Sequence, residues 1–135
     1  MKYCVAFSLI LTLSLLAGCG GGDPYEQAAD DVIEVANDVL DVVKGVDDME
    51  SAKAAGPELE KLGQRMQEVL DRAKELEDPS DEKKKELEEK YDPKFKEIGE
   101  AIGEEMKRIA EIGPDVLMEL MKQMESLNIE SGPDW

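Results

Sequence analysis

The chain has 135 residues, with 16 basic against 33 acidic side chains and a net charge of −17. That balance repels phosphate backbones, and with no basic patch interleaved with aromatics it excludes nucleic acid as a partner. Histidine is absent, which removes Cys/His zinc sites, Ser-His and Cys-His nucleophile pairs and the Glu-x-x-His di-iron bundle motif.

The chain opens with Lys2 and an apolar run from Val5 to Leu16, broken only by Ser8, Thr12 and Ser14. A helix that spans a bilayer needs about 20 apolar residues. This run is shorter, and small residues follow it, so it predicts an export signal and not a permanent transmembrane helix. No Ala-x-Ala-like pattern precedes Cys19 to mark a conventional cut. Leu16-Ala17-Gly18-Cys19 resembles the lipobox of bacterial lipoproteins in all four positions. The resemblance implies a diacylglyceryl thioether on Cys19, cleavage before it, and a membrane anchor through the N-terminal lipid. The plainer alternative is that Cys19 is one small residue beside an ordinary cut. Gly20, standing where an inner-membrane lipoprotein tends to carry Asp, implies the outer membrane if the host has two.

On this reading residues 1–18 are a signal peptide. Their removal takes away Lys2 as the one charged side chain and lowers the net charge by one, to −18. Cys4 leaves with the signal and Cys19 is consumed by lipid, so no thiol remains for a disulfide. Residues 19–24 are the lipidated cysteine and a Gly-rich tether, which at about 3.3–3.6 Å per residue reaches less than about 20 Å. The remainder suits one domain, residues 25–129, with an aliphatic core because aromatics are few. Residues 130–135 form a tail containing Gly132-Pro133.

From Tyr25 the positions Ala28, Val32, Val35, Val39, Val42, Val46 and Met49 step by three and four, as one face of a helix does. Asp23 is placed to cap this helix and Pro24 to start it. Ala29, Ile33, Ala36, Leu40 and Val43 widen the stripe, which predicts packing against more than one neighbour. Glu26, Asp30, Asp31, Glu34, Asp38 and Asp41 stand on the outward face, with Lys44 as the only base before Gly45. Gly45 and Asp47-Asp48 mark a break. The rhythm then resumes through Ala52, Ala55, Leu59, Leu62, Met66, Val69, Ala73 and Leu76, passing straight through Gly56-Pro57. Proline inside a helix costs about 3 kcal/mol, yet the unbroken register predicts one kinked helix across Pro57. Ser51-Ala52-Lys53-Ala54-Ala55-Gly56-Pro57-Glu58-Leu59 resembles a segment of small helical bacterial lipoproteins, a group that implies no activity.

Asp78-Pro79-Ser80 is a stop followed by a new cap, supplied by Asp78 or Ser80. The next helix carries Leu87, Tyr91, Phe95, Ile98, Ile102, Met106 and Ile109, an eleven-residue repeat of about 3.67 residues per turn that favours a nearly straight path. Pro93 interrupts it without shifting it, which predicts a kink. Gly113-Pro114 ends that helix and opens a short one through Val116, Leu117, Leu120, Met121, Met124 and Leu127.

The candidate chemistry is thin. Asp47-Asp48 and Glu104-Glu105 are candidates as acid and base or as a calcium site, but Asp47-Asp48-Met49-Glu50 lacks the alternating ligands, glycine and distant Glu of a calcium loop, and a solvated acidic surface is the preferred reading, so no metal ligand is assigned. No catalytic or cofactor-binding residue and no cofactor is assigned either. Met106, Met118, Met121 and Met124 read first as core filling and second as an adaptable partner groove. Tyr91 and Phe95, one turn apart, read as a hydrophobic pair. Trp135 has no periodic neighbours and reads first as having no role and second as an anchor at an interface. The acidic face of the first helix reads as solvated, with attraction of cations or a basic partner as its rival. The whole predicts an all-α, antiparallel bundle of three long helices plus a short C-terminal helix, after a cleaved signal segment. Its expected role is that of a lipid-anchored structural or interaction domain of the cell envelope, with a protein partner or a second copy, and not of an enzyme. The alternative is an envelope lipoprotein that binds cations or a small ligand. Murein-linked lipoproteins end in a lysine joined to the wall, where this chain has Trp135.

Overall fold

A computed structural model describes residues 22–127 of the chain. The signal segment, Cys19 and the tail from Glu130 lie outside them. Every element among the described residues is helical: α1 (Pro24–Lys44), α2 (Met49–Ala54), α3 (Gly56–Lys74), α4 (Asp81–Ile112), α5 (Pro114–Met124) and a closing 3-10 turn (Glu125–Leu127). The all-α class read from the sequence is what the chain adopts.

The expected starts and stops recur. Asp23 accepts from the Tyr25 amide at 2.9 Å to cap α1, and Pro24 occupies its first turn. Of the two candidates for α4, Ser80 is the cap, its Oγ accepting from the Lys83 amide at 3.2 Å. Gly113 separates α4 from α5, and α4 runs unbroken through Pro93. With no N–H at Pro93, the Glu89 carbonyl loses its i+4 donor, a defect the helix tolerates on its exposed side.

The single kinked helix expected across Pro57 is a correction: the chain makes two helices there. A capping box starts α2, with Asp48 Oδ1 accepting from the Ser51 amide at 2.8 Å and Ser51 Oγ accepting from the Asp48 amide at 3.0 Å. Pro57 has no N–H to donate back to Lys53, so the ladder stops, and Glu58 and Leu59 restart it by donating to the Ala55 carbonyl. Pro57 therefore sits in the first turn of α3, where its missing donor costs nothing. The apolar register survives because Ala55 between the two helices keeps helical dihedrals (φ −65°, ψ −26°).

α1 is the axis of the bundle. It packs on α3 along one side and on α4 along the other, whereas the α3 and α4 backbones do not approach each other closely. α3 runs antiparallel to α1, since Arg65 pairs with Glu34 and Asp38 while Arg72, nearer its end, pairs with Asp31. α4 runs parallel to α1: Lys90 near its start meets Glu26, and Arg108 near its end meets the turn after Lys44. α5 folds back between α3 and α4 at the C-terminal end of α1 and packs on α2. The main core lies there, built on Val39, Val43, Val46, Leu59, Ile109, Val116, Leu120 and Leu127. Leu59, Ile109 and Leu120 are fully enclosed, and each such burial stabilises the fold by about 1.5–3 kcal/mol. A smaller cluster of Val35, Met66 and Leu70 continues towards the start of α1.

Candidate functional site

Three surface features carry whatever chemistry the domain has. The first is the acidic face of α1. Glu26, Asp30, Asp31, Glu34 and Asp38 form the α1 half of two interhelical ionic seams, while Asp30 and Glu34 stay about 60% exposed to solvent, as the sequence reading expected of this face. Towards α3, Arg65 reaches Glu34 Oε1 at 2.6 Å and Asp38 Oδ2 at 2.8 Å, and Arg72 reaches Asp31 Oδ2 at 2.9 Å. Towards α4, Lys83 Nζ lies 2.6 Å from Asp23 and 3.4 Å from Glu26, Lys90 lies 2.6 Å from Glu26, and Lys94 lies 3.9 Å from Asp30. Among the described residues Asp41 pairs within its own helix, with Lys44 at 3.3 Å.

The electrostatics follow the geometry. The Lys83 ammonium beside Asp23, and the Lys90 ammonium beside Glu26, hold those carboxyls below their ordinary values. The same bonds raise Lys83 and Lys90, and the Glu34 carboxylate raises Arg65. Arg108 engages one member of each carboxylate pair, Asp47 and Glu105. Arg108 holds Glu105 at 2.6 Å and Asp47 at 3.0 Å, and donates to the Lys44 and Val46 carbonyls at 3.1 and 3.0 Å. Asp48 is taken by the α2 cap, which lowers its pKa. Among the described residues no group of three acidic side chains stands close enough to hold a metal ion.

The second feature divides the methionines. Met106 and Met124 pack on the main core, as core filling requires. Met118 and Met121 do not: they are 72% and 52% exposed on the outer face of α5, and Ile112 at the end of α4 is 44% exposed. One helix thus carries an inward apolar face of Val116 and Leu120 and an outward one of Met118 and Met121.

The third feature was not legible in the sequence. Tyr25, Tyr91 and Phe95, all the aromatic residues among the described ones, line one open cleft between the start of α1 and α4. Ala29 and Leu87 complete its apolar wall, and Lys84, Glu88 and Asp92 stand at its rim. Its mouth included, it holds about 420 Å³. The tyrosines are fixed by their hydroxyls: Tyr25 donates to the Glu77 carbonyl at 2.7 Å and Tyr91 to the Glu26 carbonyl at 3.2 Å. Lys90 and Lys94 lie 5.2 and 4.9 Å from the Tyr91 ring centre, within cation–π range. Burial raises the Tyr91 phenol above its ordinary value, and Asp30 adds to the shift.

No family model, curated protein or solved structure matches this chain. The site therefore has to be read from its own geometry. Cys19, the residue singled out for lipidation, lies outside the described residues. The basic halves of the seams fall at helical spacing in the sequence, Arg65 and Arg72 seven apart and Lys83, Lys90 and Lys94 seven and four apart, but that spacing does not say which acids they meet. Each set makes a basic stripe beside an apolar one.

Proposed function

We propose that the chain is a lipoprotein of the bacterial cell envelope, anchored through Cys19, whose helical domain presents α5 to a protein partner. The lipobox Leu16-Ala17-Gly18-Cys19 supports the anchor. The observation that carries the partner-binding reading is the exposure of Met118 and Met121, at 72% and 52%, on a helix whose other face is already satisfied. Monomeric domains keep large contiguous apolar surface out of water unless something covers it, and methionine adapts to varied partners. The placement suits an anchored protein. Cys19 lies four residues before Asp23 at the start of α1, and α5 begins at the opposite end, about 30 Å away along a 21-residue helix. An anchor at one end leaves the methionine face at the other.

Two measurements test this reading. Mass spectrometry of the processed protein is expected to show an acylated N-terminal Cys19, and Cys19→Ser to abolish the modification; an unmodified chain beginning beyond Cys19 would remove the anchor. A photo-crosslinking residue at Met118 is expected to trap one defined protein adduct in intact cells, whereas one at Asn37, on the far side of α1, traps none. Equal trapping at both positions refutes the α5 interface. A second reading, binding of a small apolar ligand, has the aromatic cleft in its favour.

A further inference from the structure

The outward face of α5 and its closing turn is a regular stripe. Asp115, Met118, Met121, Lys122 and Glu125 are all exposed, and helical spacing puts them on one side, while Val116 and Leu120 are buried on the other. Asp115 and Lys122 bracket Met118, three residues before it and four after. Among the described residues neither has an ion-pair partner, whereas Arg65, Arg72, Lys83, Lys90 and Arg108 each meet a carboxylate on another helix or turn. The stripe is complementary to itself. At about 1.5 Å per residue, Asp115 stands about 4.5 Å to one side of Met118 and Lys122 about 6 Å to the other. Turning a second α5 end for end about an axis at Met118 brings its Lys122 within about 1.5 Å of the height of Asp115, and the same rotation forms the reciprocal pair. The two Met118 side chains then meet on the axis, and each Met121 covers the turn between Asp115 and Met118 of the other copy.

We propose that α5 pairs with α5 of a second copy of this chain, antiparallel about a two-fold axis at Met118, with Asp115 of each copy meeting Lys122 of the other. The pairing rests on the reading of α5 as an interface. A partner of unrelated sequence would also cover the methionines, but it gives no reason for unpaired charges of opposite sign flanking them at matching distances. One short helix per copy makes a small contact, which is weak in free solution; anchorage to a common membrane raises the effective concentration of each copy around the other. The net charge of −17 opposes association, but screening over about 8 Å at physiological salt confines that repulsion, and Asp115 and Lys122 face each other with opposite sign. α5 runs in the sense of α3, since Gln123 stands at Gly56 and Leu127 at Gly63. The two α1 helices of the pair are therefore antiparallel, and both anchors reach one membrane when α1 lies along its surface.

Co-expression of two copies of the full chain carrying different tags tests the pairing. Unsubstituted copies are expected to co-purify in mild detergent. Asp115→Lys in both copies sets lysine against lysine, and Lys122→Asp in both sets acid against acid, so each should lower co-purification at least tenfold. One copy with Asp115→Lys and the other with Lys122→Asp should restore it, because both ion pairs form again. A fold weakened by either substitution would stay weakened in the mixture, so the recovery reports pairing and not folding. Unsubstituted copies that do not co-purify, co-purification that survives Asp115→Lys in both copies, or a mixed pair that does not recover overturns the proposal. If the crosslinking residue at Met118 traps a different protein instead, the pairing is overturned while the α5 interface stands.

Discussion

Gly63 and Gly103 are both helical glycines, and the same substitution should move stability in opposite directions at the two. A methyl at Gly103 meets nothing within 4 Å, so Gly103→Ala exchanges a poor helix former for the best one and should stabilise by about 1 kcal/mol. A methyl at Gly63 would stand 2.9 Å from Leu127 Cα and 3.0 Å from its carbonyl oxygen. These are backbone atoms and cannot swing away as a side-chain tip can, so the turn after α5 has to lift. Lifting it exposes Leu127, which is 8% accessible in the core, and loses about 1.5–3 kcal/mol of burial. Set against the same helix gain of about 1 kcal/mol, Gly63→Ala should destabilise by about 0.5–2 kcal/mol. For a domain of this size that lowers Tm by about 4–8 °C for each kcal/mol. Urea unfolding followed by circular dichroism measures both variants. If Gly63→Ala is as stabilising as Gly103→Ala, the turn does not pack on α3 as described.

Pro57→Ala should lower stability by about 0.4–1 kcal/mol, because the proline already sits in a helix first turn and its loss only loosens the unfolded chain; thermal melts that rise instead would restore the single kinked helix. Acid should weaken the fold through Asp23 and Glu26, whose folded pKa values lie below their ordinary 3.8 and 4.5. Their stabilisation is present above those ordinary values and is lost as pH falls through the depressed ones, so a melting series into acid should be flatter for the Asp23→Asn, Glu26→Gln double variant. Sodium, magnesium and calcium chlorides matched in ionic strength should give coincident melting curves, because the α1 acids are engaged by Arg65, Arg72, Lys83 and Lys90; a rise confined to submillimolar calcium would refute that.

Local chemistry was readable in the sequence because local chemistry decides it. Asp23-Pro24, Ser80 and Gly113-Pro114 act on the few residues beside them, and each sits where its side chain or missing donor predicts. The break at Ala55 was not readable from periodicity, because one helical residue between two helices leaves the apolar rhythm intact. The ionic seams needed the relative placement of separate helices: a wheel of α1 shows its acids pointing away from the core but not that Arg65 and Lys90 arrive beside them. The cleft is less local still, for Tyr25 and Tyr91 are far apart in the chain and meet only because α4 lies parallel to α1. The methionines divided because amphipathic spacing identifies the buried side of α5 and leaves unstated whether the other side meets solvent.

With α1 packed on both long neighbours, whose backbones do not approach each other closely, no other helix among the described residues joins α3 to α4 along the lower half of α1. Displacing α1 dissolves both interfaces at once, so it has no inexpensive partial opening of its own. In hydrogen–deuterium exchange the amides around Val35, Val39 and Val43 should exchange only through global unfolding.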